Sequence, residues 1–523
     1  MIEKKETLTS STDRKQRLST NVFSSVAVNT SKVFLQLFVT PLIIFHLGSE
    51  QYGLVAFSFT VQSFFFLLDH AVSPVVIREF GLLSGSKDTA EDHWKLFLTF
   101  EKLSVATGIV CGTSIIISAP WIAEAWLKSD KLSVDFLTNA VRLIGLLMIF
   151  QWPSLFYGSC FIGMQKQFSL ATLSVTLSYT QAVFVLLYLG FFGSNVLFIL
   201  GLQCFFSFLL LFFIRKRILK CLPPVSKRPT YDFSYFLKVR NFAQGTFLIG
   251  ITIAILTQID KIFISKFAKL DEFSAYSVSF AFISQISMII AGPLMATLQP
   301  FFAGLIKKDD ALMLANEYHK LSQVNAIVIF TFIGPLIFFS DIILTLWLGM
   351  SSPVLPLALQ LVPWIAVGST INAINSMPYT LQIAAGWTNL KLRMNIIQVF
   401  LFVALFFLFY PVYGLMIGPC LWIGLNSLNT FIEAPIVHRY YLKGEYSAWL
   451  FKDVLYPALI SAVIFSAGRY FLIFKQNLWA DLASACFISL SVFLSLTLAL
   501  PQGKILILRG IERLYRRLLS KNF

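Results

Sequence analysis

Charge is scarce in this chain. Only 13% of its 523 residues are Asp, Glu, Lys or Arg, against about 25% in a typical soluble domain. The polar breaks are short, which excludes a large soluble domain. Histidine is limited to five residues. The six cysteines, Cys111, Cys160, Cys204, Cys221, Cys420 and Cys486, are scattered, most of them inside hydrophobic runs. No pair has disulfide or metal-ligand spacing, so neither a redox centre nor a structural zinc is expected, and no cofactor. Gly-rich phosphate loops, nucleotide-hydrolysing motifs and nucleophile constellations are also missing from the contexts they need. These absences argue against an enzyme and against a built-in ATPase.

Apolar sequence fills the space that charge leaves. Hydrophobic residues make up 57% of the chain, aromatic residues 15%, and the mean hydropathy is +0.76. A membrane-crossing helix needs roughly 20 mostly apolar residues, and such stretches recur from Val22 to Leu500. The pattern predicts an all-α polytopic membrane protein with about fourteen spans. They lie near 20–46, 52–74, 97–123, 134–161, 169–192, 195–214, 241–265, 273–303, 321–348, 353–384, 393–410, 413–437, 450–473 and 477–500. The first follows a polar stretch holding Lys4, Lys5, Arg14, Lys15 and Arg17. It is too long for a secretory signal and lacks the small-residue cleavage site, so it reads as a permanent helix.

An even number of spans puts both termini on one side. With that side cytoplasmic, roughly thirty Lys and Arg fall in cytoplasmic segments against about six outside, the asymmetry the positive-inside rule requires. The net charge of +15 is therefore topological, and no nucleic-acid partner is expected. The longest internal polar segment, 215–240, is basic, carries Pro223, Pro224 and Pro229, and divides the chain near its middle. The expected organisation is a cytoplasmic tail (1–19), an N-lobe of six spans (20–214), the basic linker (215–240), a C-lobe of six spans (241–440), a terminal helix pair (441–500) and a second tail (501–523). In that last segment Lys504, Arg509, Arg513, Arg516, Arg517 and Lys521 alternate with apolar residues, as in a basic amphipathic helix on the inner leaflet.

The two sides of the linker also repeat one another. At a constant offset Glu50 matches Asp271, Tyr52 matches Phe273, and Ser58-Phe59 matches Ser279-Phe280. Repeats of like orientation form two lobes about a pseudo-two-fold axis along the membrane normal, with a substrate path between them that suits alternating access.

Three motifs carry a resemblance: Leu47-Gly48-Ser49-Glu50-Gln51-Tyr52-Gly53-Leu54 after the first span, Gly163-Met164-Gln165-Lys166 after the fourth, and Ile259-Asp260-Lys261 in the seventh. Together with length, helix count and central split, they resemble the polysaccharide flippases of the multidrug/oligosaccharidyl-lipid/polysaccharide exporter superfamily, which include O-antigen repeat-unit flippases. The resemblance implies two six-helix lobes, a helix pair outside that symmetry, and transfer of an undecaprenyl-diphosphate-linked oligosaccharide from the cytoplasmic to the outer leaflet of the inner membrane. The expected partners are that lipid-linked substrate, membrane lipids and other proteins of polysaccharide or lipopolysaccharide assembly.

A diphosphate head needs a cationic, hydrated path, and intramembrane cations persist only with a partner or a function. Lys32 lies about halfway along the first span, and either meets phosphate or sugar or pairs with an acid on a neighbouring helix. Arg78, beyond a kink expected at Pro74, is a substrate contact or a topological charge at a helix end. Asp69 and His70 are a protonatable pair that couples transport to protons, or an internal hydrogen bond. Arg142 lines the cavity or snorkels to the interface. Asp260 and Lys261, about 100° apart on their helix, are not expected to face the same way; Lys261 contacts phosphate, or the two form a structural pair. Gln299 precedes Pro300, and Asn372, Asn375, Tyr379 and Gln382 recur at steps of three or four as one polar stripe, suited to sugar hydroxyls or to interhelical bonding. Asn426, Asn429 and Glu433 repeat the pattern in the twelfth span. Three other readings compete: a multidrug exporter with the same architecture, a membrane glycosyltransferase, which would need a large outer loop, and a scaffold for envelope assembly.

Overall fold

The computed structural model describes the backbone of residues 2–83, 90–225, 229–232, 234–308, 310–471 and 477–503. Side chains are described within these ranges except at 2–29, 67, 68, 70–72, 82, 83, 235–250 and 289–297. Among the described residues the chain is helical apart from short turns and loops and contains no strand. It divides into two compact units, Met1–Ser274 and Ala275–Phe523.

Unit 1 is built from α1 (Ile2–Leu83), α2 (Ala90–Ala125), α3 (Val134–Gly163), α4 (Gln167–Phe191), α5 (Val196–Cys221) and α6 (Ser234–Phe267). At 82 residues, α1 would run about 120 Å if straight, four times the ~30 Å hydrocarbon core. It therefore bends back, and does so at a single residue: Gly48 adopts φ 75°, ψ 174°, a conformation closed to a side chain with a Cβ. The expected loop between the first two spans is thus a one-residue kink. Where α2 crosses α3 the backbones nearly touch. A Cβ on Gly112 would stand 2.6 Å from the Gly145 carbonyl oxygen, and one on Gly145 would stand 2.7 Å from that of Gly112. Lipid offers no hydrophobic drive between helices, so such small-residue crossings supply van der Waals attraction that larger side chains would prevent.

Close contacts fix both ends of unit 1. Near the kink, Glu50 accepts hydrogen bonds from the Ser129 hydroxyl and from the Lys131 amide at 3.1 Å. The α2–α3 turn is in turn joined to the end of α6 and the turn after it through Trp126 Nε1 to Ser265 Oγ (3.0 Å), Lys128 Nζ to the Phe267 carbonyl (3.1 Å) and Lys269 Nζ to Asp130 (2.6 Å). The Asp130 bond raises the Lys269 ammonium pKa above its ordinary value. At the opposite end Phe80, Trp94, Phe97, Phe156, Tyr157 and Phe161 form an aromatic core shared by α1, α2 and α3. The Gly163–Lys166 motif closes α3 there. Gln165 takes a left-handed φ of 57°, and Lys166 Nζ donates to the Cys221 carbonyl at the end of α5 (3.3 Å).

In unit 2 come most of α7 (Leu270–Lys307), then α8 (Ala311–Phe338), α9 (Ser340–Leu348), α10 (Leu355–Ile374), α11 (Ser376–Ala384), α12 (Thr388–Tyr413), α13 (Ile417–Leu428), α14 (Ala434–Tyr441), α15 (Tyr446–Ala448), α16 (Tyr456–Phe471) and α17 (Leu478–Ala499). The central helix is α8, packed by α10, α16 and α17. Two π-helical segments, Asn429–Glu433 and Trp449–Leu455, interrupt the later helices.

Ten stretches of the described residues are long and apolar enough to cross a membrane. Two of them, Thr30–Phe66 and Thr388–Tyr441, contain glycine breaks at Gly48 and Gly414, and α6 and α7 are 34 and 38 residues long. The all-α polytopic architecture agrees with the expectation of about fourteen spans. Residues 504–523, and with them almost all of the basic tail, lie outside the described residues.

Candidate functional site

In unit 1 a row of polar side chains runs inside the spans along the second half of α1. Ser58, Gln62, Asp69 and Ser73 fall at steps of four, seven and four, which keeps them on one helix face. That face meets α3 and α5. Gln62 donates to Ser58 (2.8 Å) and accepts from Gln151 (3.0 Å) and Gln203 (3.3 Å). The Ser73 hydroxyl bonds the Asp69 carboxylate and also meets Ser159 Oγ at 2.7 Å. Asp69, Ser73 and Ser159 open on a cavity of about 200 Å³ that Ser104 and Thr107 also line, against Phe100, Trp152 and Phe156. Five polar side chains around so small a space can hold several water molecules. The side chain of His70 lies outside the described residues, so the expected Asp69–His70 pair does.

The four cations expected to bind substrate differ in their surroundings. Lys32 is partly buried on α1, next to Ser31, whose Oγ meets Tyr179 of α4 at 2.8 Å. It makes no hydrogen bond or ion pair among the described residues. Arg78 pairs with its neighbour Glu79 at 2.6 Å, with a half-exposed side chain. Arg142 is exposed and donates to Asn139 at 3.2 Å. Lys261 reaches Asp260 at 3.0 and 3.1 Å, the pairing that the sequence left open beside phosphate contact. Their Cα–Cβ bonds do diverge, but the flexible four-carbon stem of lysine folds back and brings the charges together.

The polar stripe expected in the tenth span is corrected. The helix ends at Ile374 and restarts at Ser376, two residues before Pro378, whose ring nitrogen cannot donate to the preceding turn. Asn372 is exposed, Tyr379 is partly buried, and Asn375 and Gln382 are buried. Asn375 is structural: Nδ2 donates to the Asn426 carbonyl (2.8 Å), and Oδ1 accepts from Thr430 (3.0 Å). Gln299 is exposed.

Unit 2 contains a denser cluster that the sequence pattern largely hides. Lys391 of α12 and Glu433 of the first π segment form an ion pair at 2.8 Å, with side chains 17% and 6% exposed. The Lys391 ammonium lies 5.5 Å from the centre of the Tyr379 ring. Two turns along α12, Gln398 donates to Asn429 (2.6 Å) and to the Leu425 carbonyl (3.2 Å). Three buried oxygens in these helices, Gln382 Oε1, Asn395 Oδ1 and Glu433 Oε1, have no hydrogen-bond partner among the described residues. A second cluster lies on α8 and the other π segment. His319 bonds Asp453 through Nδ1 and Glu445 through Nε2 (3.2 Å), and Gln323 donates to Asp453 (2.9 Å). Tyr446 links the two clusters through its hydroxyl to the Thr430 carbonyl (3.1 Å). Glu433 and Asp453 each belong to a π segment, so an extra residue in the turn aims them inward.

Ten helical stretches apolar enough to cross a membrane, with polar clusters packed between helices, define a polytopic membrane protein. The chain belongs to the polysaccharide biosynthesis protein family, whose sequence profile matches residues 46–351, more than half its length. No curated protein matches it. Among solved structures it is similar to the lipid II flippase MurJ in an inward closed conformation (TM-score 0.69, 16% identity, covering 91% of this chain and 98% of that one). It is also similar to an inward-facing multidrug resistance MATE family transporter of the MOP superfamily (TM-score 0.64, 14% identity, 81% and 98%). A third match is a MOP superfamily transporter from Pyrococcus furiosus (TM-score 0.56, 12% identity, 82% and 96%). At these identities the likeness establishes a shared fold. Family and fold both agree with the resemblance carried by the Leu47–Leu54, Gly163–Lys166 and Ile259–Lys261 motifs.

Proposed function

We propose that this protein is a flippase that moves undecaprenyl-diphosphate-linked oligosaccharide repeat units, of the kind used for O-antigen and other surface polysaccharides, from the cytoplasmic to the outer leaflet. It works without covalent chemistry, by alternating access between six-helix lobes at 20–214 and 241–440. It resides in the inner membrane with both termini in the cytoplasm.

Lys32 carries this reading. Sixteen residues separate it from the kink at Gly48, about 24 Å along the helix axis. In the proposed orientation that places a lysine without an acidic partner among the described residues in the inner part of the membrane, where a diphosphate arrives from the cytoplasm. An ammonium there is costly unless it has work to do, and an anionic head group moving through is work of the right sign. Lys261, Arg78 and Arg142 extend the cationic path. Asp69, with its hydroxyl-lined cavity, is the candidate for proton coupling. Asn372 and Gln299, both exposed, and the partly buried Tyr379 supply amide and aromatic surfaces for sugar.

The test is leaflet accessibility of lipid-linked oligosaccharide in cells that express the intact chain or Lys32→Ala at matched levels, beside a deletion. Accumulation on the cytoplasmic face in the variant and in the deletion supports the proposal. Normal transfer in the deletion, with no related protein present, removes it in favour of solute export or scaffolding.

A further inference from the structure

In unit 1, α2 and α5 both pack on α3 and leave an open groove of about 450 Å³ between them. One end is polar. The buried Glu101 carboxylate accepts hydrogen bonds from the Tyr157 hydroxyl at 2.6 Å, from Arg215 Nε at 2.8 Å and from Arg215 Nη2 at 3.4 Å. Arg215 is held in place by that carboxylate yet keeps half of its side chain exposed. Beside it the exposed Lys102 rests its ammonium over the Tyr231 ring, 3.5 Å from the centroid, and has no carboxylate partner among the described residues. Two cations therefore face one acid, and exposed Lys216 and Lys220 follow on the same helix end.

The rest of the groove is hydrocarbon. Val105, Ala106 and Ile109 continue from Lys102 at helical spacing along α2, and Leu211 lies one turn from Arg215 on α5. Both walls run away from the charges in the same direction, for about 10 Å on α2. The flanking surface is apolar and exposed at Val110, Phe208 and Phe212. A site with cations at one end and an aliphatic trough leading from them matches an amphiphile with an anionic head. In the orientation proposed above, the charged end lies at the cytoplasmic interface, where anionic lipids attract basic residues.

We propose that this groove binds an anionic phospholipid of the inner leaflet, with its phosphate between Lys102 and Arg215 and one acyl chain along Val105, Ala106, Ile109 and Leu211. Arg215 alone would be neutralised by Glu101, so Lys102 supplies the net attraction. The lipid steadies the α2–α5 face and lies apart from the α1 polar face assigned to transport. This inference rests on the flippase reading only for its orientation in the membrane.

Native mass spectrometry of the purified full-length chain tests it, with phosphatidylglycerol and phosphatidylethanolamine offered in equal amounts. The intact chain is expected to retain phosphatidylglycerol preferentially. Lys102→Gln, which leaves the Glu101–Arg215 pair untouched, is expected to weaken that retention about tenfold, the loss of one charge-assisted hydrogen bond. Ala106→Trp, at an exposed position, is expected to block the trough and abolish retention, and millimolar inorganic phosphate is expected not to compete. Equal retention of the two lipids, or no change in either variant, overturns the proposal. Displacement by inorganic phosphate shows an anion site without a lipid and overturns it too, as does displacement by equimolar undecaprenyl diphosphate, which would reassign the groove to substrate. Leaflet transfer measured on the same variants keeps the two readings separate. Normal transfer without lipid preference refutes the groove alone, and lipid preference without transfer by the intact chain refutes the flippase alone.

Discussion

Replacing Lys32 with methionine separates function from architecture, because the two roles open to this residue predict opposite signs of stability change. Methionine keeps the length and much of the volume of the lysine stem and removes the charge. Were Lys32 half of a buried ion pair, the change would strand its partner and cost about 3–5 kcal/mol. The side chain is partly buried and finds no acid among the described residues, so the expected sign is reversed. A lysine costs about 2.5–3.5 kcal/mol at the bilayer centre on insertion scales and less toward the interface, so relief of part of that cost stabilises the variant. At about 2 °C per kcal/mol for a unit of this size, the expected gain in Tm is at most about 7 °C. Transport should fall in the same protein: one lost ammonium–phosphate contact of about 1.5–3 kcal/mol corresponds to about 10- to 150-fold. Thermal unfolding in detergent and leaflet-accessibility rates, measured on the same preparation, give both numbers. A fall in Tm of about 6 °C or more, the lower end of the ion-pair cost on the same scale, with transport intact would refute the reasoning and make Lys32 a structural residue.

Three further outcomes follow from the packing. Lys391→Met and Glu433→Leu should each destabilise unit 2 by about 3–5 kcal/mol, while the two combined should recover most of that loss; a thermal-unfolding double-mutant cycle decides. Gly145→Leu places a side chain where a Cβ alone meets the Gly112 carbonyl oxygen at 2.7 Å, so the yield of folded protein, read by size-exclusion chromatography, should drop sharply, whereas Gly190→Leu, with open space around it, should not. For orientation, in a cysteine-free background, Lys131→Cys should react with an impermeant maleimide from outside intact cells and Lys220→Cys only after permeabilisation.

The spans are legible because a twenty-residue apolar run, repeated through a chain with so little charge, is stable in water only if it leaves water for lipid. The site is legible only in part. The Ser58, Gln62, Asp69 and Ser73 face is written in local spacing, yet the charges of Asp69 and His70 stand out and the serines and glutamine that complete the face do not. Asn372, Asn375, Tyr379 and Gln382 fail as a polar stripe because neighbouring helices cover Asn375 and Gln382 and leave Asn372 exposed, which local spacing does not record. Glu433 is conspicuous in an apolar helix, but its partner Lys391 lies 42 residues earlier and just outside an expected span, where a lysine reads as a topological charge. The π segments are invisible: no residue type marks them, and each shifts the register of the positions that follow. Across-helix pairing and register shifts are tertiary facts, and local pattern carries little trace of them.

The basic segment after α5 has a mechanical consequence. Trp94 Nε1 holds the Pro223 carbonyl at 2.9 Å, Thr99 Oγ1 exchanges bonds with Asp232 at 3.0 and 3.1 Å, and Lys102 covers Tyr231. The segment is stitched along α2 at three places, so it acts as a strap and not as slack between moving parts. Its far end runs into α6, which packs along α1 within the same compact unit. The covalent passage from one unit to the other therefore runs through the body of α7, just after Ser274. The strap therefore moves with α2 and belongs mechanically to the first unit.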